Sequence, residues 1–226
     1  MESTCSAAHR RQLSHCNFQT HRTTTHKHTK AAIMTDFNDK GDKVLSPSIL
    51  AHVVLRTASF KLMQDFYTTF LGGRVTHSND TLSFITYDHE HHRIALVGLP
   101  TTAPKNRHSC GLEHIAFTFP DLSSLLLAYR QRKARGISPV WCVNHGVTTS
   151  LYYNDPDGNM LETQVDNFDT AEEANQYMSS PAFTENPIGA DFDPEELIKR
   201  IEAGEDDASL KKRSDIGPRG IPAFIK

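Results

Sequence analysis

Apolar positions along the chain fall into two periods. Residues 49–56 (ILAHVVLR) are rich in branched side chains and alternate, which predicts a strand with His52, Val54 and Arg56 on one face and Val53 and Leu55 on the other. Thr57 or Ser59 can then cap a helix over 60–71, where Phe60, Met63, Phe66, Tyr67 and Phe70 share one face and Gly72-Gly73 ends the run. Three short strands are predicted next, at 73–77, 82–87 and 93–99. After a polar connector over 100–110 the order repeats. A strand covers 112–119, a helix over 122–135 turns Leu122, Leu125, Leu126 and Tyr129 inward and ends at Gly136, and strands follow at 140–144, 149–154 and 160–164. The halves share little residue by residue, but both carry a histidine in their first strand (LAHVVL against LEHIAF). The pattern is two copies of a βαβββ module, each too small for a good core alone.

The flanks read differently. Residues 1–45 are rich in Ser, Thr, His, Lys and Arg with little apolar periodicity, which predicts a disordered tail. One acid, Glu2, precedes Met34, so the tail resembles a weak mitochondrial transit peptide without an amphipathic arginine face, and Met34 offers an alternative start. His21, His26 and His28 read as part of this polar tail rather than as a metal site. Residues 46–168 form the folded domain, with modules 49–100 and 111–165. Residues 169–226 are set apart as an extension, helical over 170–178 and 193–204 and irregular over 214–226, that wraps either the domain or a partner subunit.

Composition narrows the function classes. A net charge of −3 over 226 residues gives no footprint for a nucleic acid, and no apolar run approaches the length of a membrane span. Cys5, Cys16, Cys110 and Cys142 are widely separated with no CxxC pair, so neither a disulfide framework nor a zinc ribbon is expected. A reducing, cytoplasmic location follows, with the mitochondrion as the alternative.

The candidate chemistry lies in residues 145–162, HGVTTSLYYNDPDGNMLE. Residues 149–154 are β-branched and aromatic, 155–158 (DPDG) form a turn, and 160–164 return antiparallel. Glu162 falls between apolar neighbours, where a carboxylate is costly unless paired or metal-bound. By alternation His52, His114 and Glu162 all point inward. Two histidines and a carboxylate on neighbouring strands can occupy one face of an octahedron and leave the opposite face open. Taken singly, each is more often a hydrogen-bonded strand histidine or an edge glutamate.

The spacing His145, Leu151-Tyr152, Asp155-Pro156, Gly158, Glu162 resembles the signature of the extradiol ring-cleavage dioxygenases of the vicinal oxygen chelate superfamily, with the glyoxalases and bleomycin-resistance proteins as its wider group. The resemblance covers residues 47–168. It implies an α+β fold with the modules building a curved mixed β-sheet around a metal cleft. It also implies His52, His114 and Glu162 as ligands of Fe(II), with Mn(II) as the other ion of that donor set. The stretch His91-His92-Arg93-Ile94-Ala95-Leu96 resembles the corresponding stretch of these enzymes, in which the position of His92 serves as acid–base or oxygen-binding residue. Tyr152 matches the tyrosine that hydrogen-bonds a substrate hydroxyl, with Tyr153 as the alternative if the register slips by one. His145 or Tyr152 is the candidate base. The reaction implied is cleavage of a catechol or biphenyl-2,3-diol by O2. Glyoxalases of the group add a fourth ligand on the last strand of the first module, but here residues 93–97 (RIALV) hold neither acid nor amide. A glyoxalase-like isomerase or lyase, and a non-enzymatic small-molecule binder, are the competing readings. The partners expected are a small aromatic diol and O2, without nucleic acid or membrane, and a homo-oligomer stays open.

Overall fold

A computed structural model describes residues 35–223. The histidines and cysteines before residue 35, the transit-peptide reading and Met34 lie outside the described residues. Residues 35–47 hold no helix or strand, and residues 48–226 form a separate compact unit.

Within that unit the first module runs β1 (Val53–Thr57), α1 (Phe60–Leu71), β2 (Arg74–Ser78), β3 (Leu82–Thr86) and β4 (Ile94–Gly98). The second runs β5 (His114–Thr118), α2 (Leu122–Lys133), β6 (Trp141–Asn144), β7 (Thr148–Asn154) and β8 (Met160–Asp166). The strand order β1-β4-β3-β2 recurs as β5-β8-β7-β6. In each module the first and last strands are parallel and the other pairs antiparallel. The fold is the expected α+β repeat with mixed sheets, and its hydrogen-bonded ladders form two sheets, of four and five strands.

α1 matches the periodicity to the residue. Met63, Tyr67 and Phe70 are buried, Phe60 and Phe66 pack beside them, and Gly72 closes the helix in the left-handed conformation. Thr57 does not cap the helix itself; its hydroxyl accepts from the N–H of Ser59, the N-cap residue. α2 starts on Asp121, whose carboxylate accepts from Ser124 N–H, and buries Leu122, Leu125, Leu126 and Tyr129. Both helices feed one core. It joins Leu55, Met63 and Phe70 of the first module to Ile115, Leu126, Tyr153 and Leu161 of the second, so neither module closes a core by itself.

β1 starts four residues later than its hydrophobicity predicts. Val53 pairs with Ile94, the first residue of β4, so residues 49–52 run past the end of their partner strand. The carbonyls of Leu50 and Ala51 are taken instead by the guanidinium of Arg93, which is held by Asp88. His52 therefore sits just before the strand rather than inside it.

The C-terminal residues build on the second module. α3 (Ala171–Met178) and α4 (Pro181–Glu185) lead to a two-residue strand, β9 (Ala190–Asp191), which pairs with β6 and completes the five-stranded sheet. α5 (Pro194–Glu202) lays Leu197 and Ile198 on the core, and α6 (Asp207–Lys211) adds Leu210. These residues pack on the chain's own domain. α4, β9 and α6 are too short to leave a periodic signal.

Glu195 ties α5 to α2. It accepts from the Tyr129 hydroxyl, Lys133 and Arg130, and these hold its carboxyl down to about 2. A carboxyl lowered by folding stabilises fully above its ordinary value of 4.5, and loses that contribution as pH falls towards 2. Glu195→Gln is thus expected to melt below the wild type at pH 7, with the gap closing as pH drops from 4.5. Thermal melts at pH 7 and pH 3 check this.

Candidate active site

The second sheet carries most of the candidate residues on one face. Register places Tyr152 opposite Glu162, Ser150 opposite Gln164 and Trp141 opposite Tyr152. Glu162 is 4% exposed. Its Oε2 lies 3.1 Å from Nε2 of His114, the first residue of β5. Burial works against the charge of Glu162, but hydrogen bonds from His114 and Ser150 outweigh it and hold the carboxyl below its ordinary value. The hydrogen bond to Glu162 raises the His114 pKa in turn, against the opposing effect of burial.

Tyr152 shares the face of Glu162 and Tyr153 does not. Tyr153 lies fully buried on the opposite face, edge-on to Phe70 at 5.1 Å. The Tyr152 hydroxyl is 3.0 Å from Nε2 of His145, whose Nδ1 is 2.6 Å from the carbonyl oxygen of Ile188. A carbonyl only accepts, so Nδ1 carries the proton. Burial lowers the His145 pKa and favours the neutral ring, so Nε2 presents a lone pair to the Tyr152 hydroxyl. Burial, the nearby Glu162 charge and a hydrogen bond to that carboxylate push the Tyr152 pKa upward, which keeps the hydroxyl protonated.

His92 and His52 form the other half. Their ring centroids are 4.3 Å apart, and Phe84 stands 4.9 Å from His92. Burial, then the neighbouring His52 and His91, lower the His92 pKa. β4 offers no further ligand: Ala95 pairs with Val54 and Val97 with Arg56.

The structure thus brings His114, Glu162, Tyr152 and His145 together, and separately His52 and His92. Among the described residues no three His, Cys, Asp or Glu side chains already form a cluster able to hold a metal. Residues of both modules line one cavity, Val53 and Ile94 from the first and Ile115 and Phe117 from the second. His52 lines this cavity of about 250 Å3 together with Ala116, and Ala116 is the ladder partner of Glu162. The His114–Glu162 pair fits two adjacent positions on a divalent metal. Two ligand atoms about 2.1 Å from a metal and at right angles stand about 3 Å from each other, and the His114 nitrogen and Glu162 oxygen are 3.1 Å apart.

Several supporting residues are not evident in the sequence. Trp141 stacks on Tyr152 with centroids 4.9 Å apart and meets His145 edge-on. Asp155 of the DPDG turn is 4% exposed. It accepts from the Tyr67 hydroxyl and from Asn159 Nδ2, and its other oxygen takes the N–H groups of Asp157 and Asn159. This fixes the entry to β8, and hence Glu162, against α1 of the other module. The one sequence signal for Trp141 is its being the single tryptophan; Ile188 acts through its backbone and leaves none.

Residues 49–163 match the model of the Glyoxalase/Bleomycin resistance protein/Dioxygenase superfamily, and the chain belongs to that superfamily. Among individual proteins it is similar to biphenyl-2,3-diol 1,2-dioxygenase 2 of Rhodococcus globerulus, at 48% identity over 155 residues covering 68% of this chain and 82% of the relative. It is also similar to biphenyl-2,3-diol 1,2-dioxygenase 3 of the same organism, at 45% over 167 residues, 73% of this chain and 88% of the relative. Catechol-2,3-dioxygenase of Bacillus subtilis (strain 168) is 28% identical over 118 residues, 52% of this chain and 41% of the relative. No helix among the described residues is long and apolar enough to cross a membrane.

Proposed function

We propose that the protein is an extradiol dioxygenase that opens the ring of a catechol-type substrate, of the biphenyl-2,3-diol kind, with O2. The observation that carries the reading is the pair of part-exposed His114 and buried Glu162 set against the His145–Tyr152 hydrogen bond. A ligand pair and a proton acceptor share one face. The identity to two biphenyl-2,3-diol 1,2-dioxygenases over most of the chain supports it.

His52, His114 and Glu162 would hold Fe(II), with Mn(II) as the alternative. When bound, the metal supplies Lewis acidity to the diol and the site for dioxygen. The protein's own groups supply the rest. Tyr152 hydrogen-bonds one substrate hydroxyl and passes its proton to Nε2 of His145, which the Ile188 carbonyl keeps in the accepting tautomer. Trp141 and Tyr152 stack into an aromatic wall that would flank the diol. His92, its pKa lowered and its ring beside that of His52, would donate or accept a proton in the step that uses dioxygen. The absence of a ligating side chain at Ala95 and Val97 favours the three-ligand dioxygenase over a glyoxalase-like isomerase. A reducing compartment such as the cytoplasm suits this chemistry and the free thiols of Cys110 and Cys142.

The test is oxygen uptake by the Fe(II)-loaded protein with 2,3-dihydroxybiphenyl and with catechol. One O2 consumed per diol, with a yellow ring-opened product, is the expected result. Metal binding without oxygen uptake on any diol would sink the proposal. His92→Phe separates the roles within it. Iron content is expected to stay at the wild-type level while kcat falls roughly 100-fold or more, the usual size of a general acid–base contribution.

A further inference from the structure

The groups that orient His145 lie beyond the stretch 49–163 that the chain shares with its superfamily. Ile188, whose carbonyl fixes the His145 tautomer, belongs to a tight turn. Asn186 Oδ1 accepts from the N–H of Ile188 at 3.2 Å and of Gly189 at 2.7 Å. Gly189 adopts φ +105°, and a Cβ there would stand 2.2 Å from the Asn144 carbonyl oxygen and 2.8 Å from His145 Cα. The turn is therefore pressed against the backbone that carries His145.

One side chain ties this turn to the aromatic wall. Arg219 donates through one guanidinium nitrogen to the Gly189 carbonyl at 3.1 Å and through another to Asp191 Oδ2 at 2.8 Å. The second carboxylate oxygen of Asp191 accepts from Trp141 Nε1 at 2.7 Å. Trp141 in turn stacks on Tyr152 and meets His145 edge-on at 5.6 Å. The guanidinium side chain is 20% exposed, and it lies over the Trp141 ring at 5.9 Å.

We propose that Arg219 is a positioning residue for turnover, holding the 186–189 turn and the Trp141 indole in the arrangement that keeps His145 Nε2 open to Tyr152. The inference rests on the roles proposed above for His145 and Tyr152. Arginine suits the task because its planar fork makes two bonds at a fixed angle, one to a backbone carbonyl and one to a carboxylate. A lysine can restore the charge opposite Asp191 but cannot hold both acceptors in the same geometry. Removing the fork leaves β9 paired with β6, so the sheet persists while the turn and the indole lose their common anchor.

The experiment compares full-length wild type, Arg219→Ala and Arg219→Lys by four readouts. These are melting temperature, iron content, the kcat and KM split with 2,3-dihydroxybiphenyl, and emission of the single tryptophan. For Arg219→Ala the expected result is wild-type melting and iron content, red-shifted emission, KM within about twofold and kcat lower by about tenfold, the usual size of losing a supporting partner. Arg219→Lys is expected to recover the emission more fully than kcat. Wild-type kcat in Arg219→Ala overturns the proposal, and so does a kcat that falls only in step with melting temperature and iron content. Ring 15N shifts of His145 in the metal-free protein, assigned with a His145→Gln variant, keep the test independent of the proposed reaction. The wild type is expected to carry the proton on Nδ1, and Arg219→Ala to shift it towards Nε2. If the wild type consumes oxygen with no diol, the dioxygenase reading fails, and an unchanged tautomer in Arg219→Ala would separately overturn the role of Arg219.

Discussion

His114→Ala is expected to abolish iron binding and oxygen uptake together. The loss has two parts. The imidazole nitrogen 3.1 Å from Glu162 Oε2 disappears as a ligand. Glu162, 4% exposed, then loses the hydrogen bond that most strongly favours its charged form. Burial is left to act with less opposition, so the carboxyl pKa rises and the second ligand is weakened as well. Anaerobic Fe(II) titration should show no stoichiometric binding, and added iron should not restore uptake. His114→Ala with wild-type oxygen uptake would mean that the ligand assignment is wrong. Its folded core should be intact by melting, because His114 is a partly exposed residue at a strand end.

Asp155→Ala is expected to be the most damaging change outside the ligand set, and to act on stability first. It strands the Tyr67 hydroxyl, which is fully buried with its ring, together with two backbone N–H groups and the Asn159 amide. Leaving one buried hydroxyl and three part-buried donors without an acceptor costs about 3–4 kcal/mol. For a chain of this size that is a drop of roughly 10 °C in melting temperature. Tyr67→Phe should cost less, because it removes donor and bond together and leaves Asp155 its other three partners. Thermal unfolding of both variants checks the order. A smaller loss for Asp155→Ala than for Tyr67→Phe would contradict the anchoring role. Since Asp155 sets the start of β8, the surviving folded protein should also bind Fe(II) less tightly.

What was legible in the sequence was whatever side-chain period or turn chemistry writes into consecutive residues. The five apolar positions of α1, the inward leucines of α2 and the DPDG turn are of this kind. So is the shared face of Tyr152 and Glu162, which follows from alternation once the turn is placed. Three features were not legible, each for a physical reason. His52 sits before its strand because β4 begins only at Ile94 and Arg93 takes the preceding carbonyls; the branched run 49–56 gives no hint of where its partner ends. The Asp155–Tyr67 bond joins residues 88 apart in the chain, beyond any local pattern. Ile188 contributes a carbonyl, which every residue has, and β9 is two residues long. The C-terminal segment therefore reads as an appendage in sequence, while in space it completes the second sheet and sets the tautomer of His145.

The proposed chemistry requires the two halves to hold one metal. His52 lies with His92 on the first module, and His114 with Glu162 on the second. The most direct measurement is anaerobic Fe(II) titration of His52→Ala beside the wild type. One Fe(II) per wild-type chain, with stoichiometric binding lost in His52→Ala and its melting temperature kept, is the result expected from a single site shared by the two modules. Wild-type Fe(II) affinity in His52→Ala would contradict it and confine the metal to the second module.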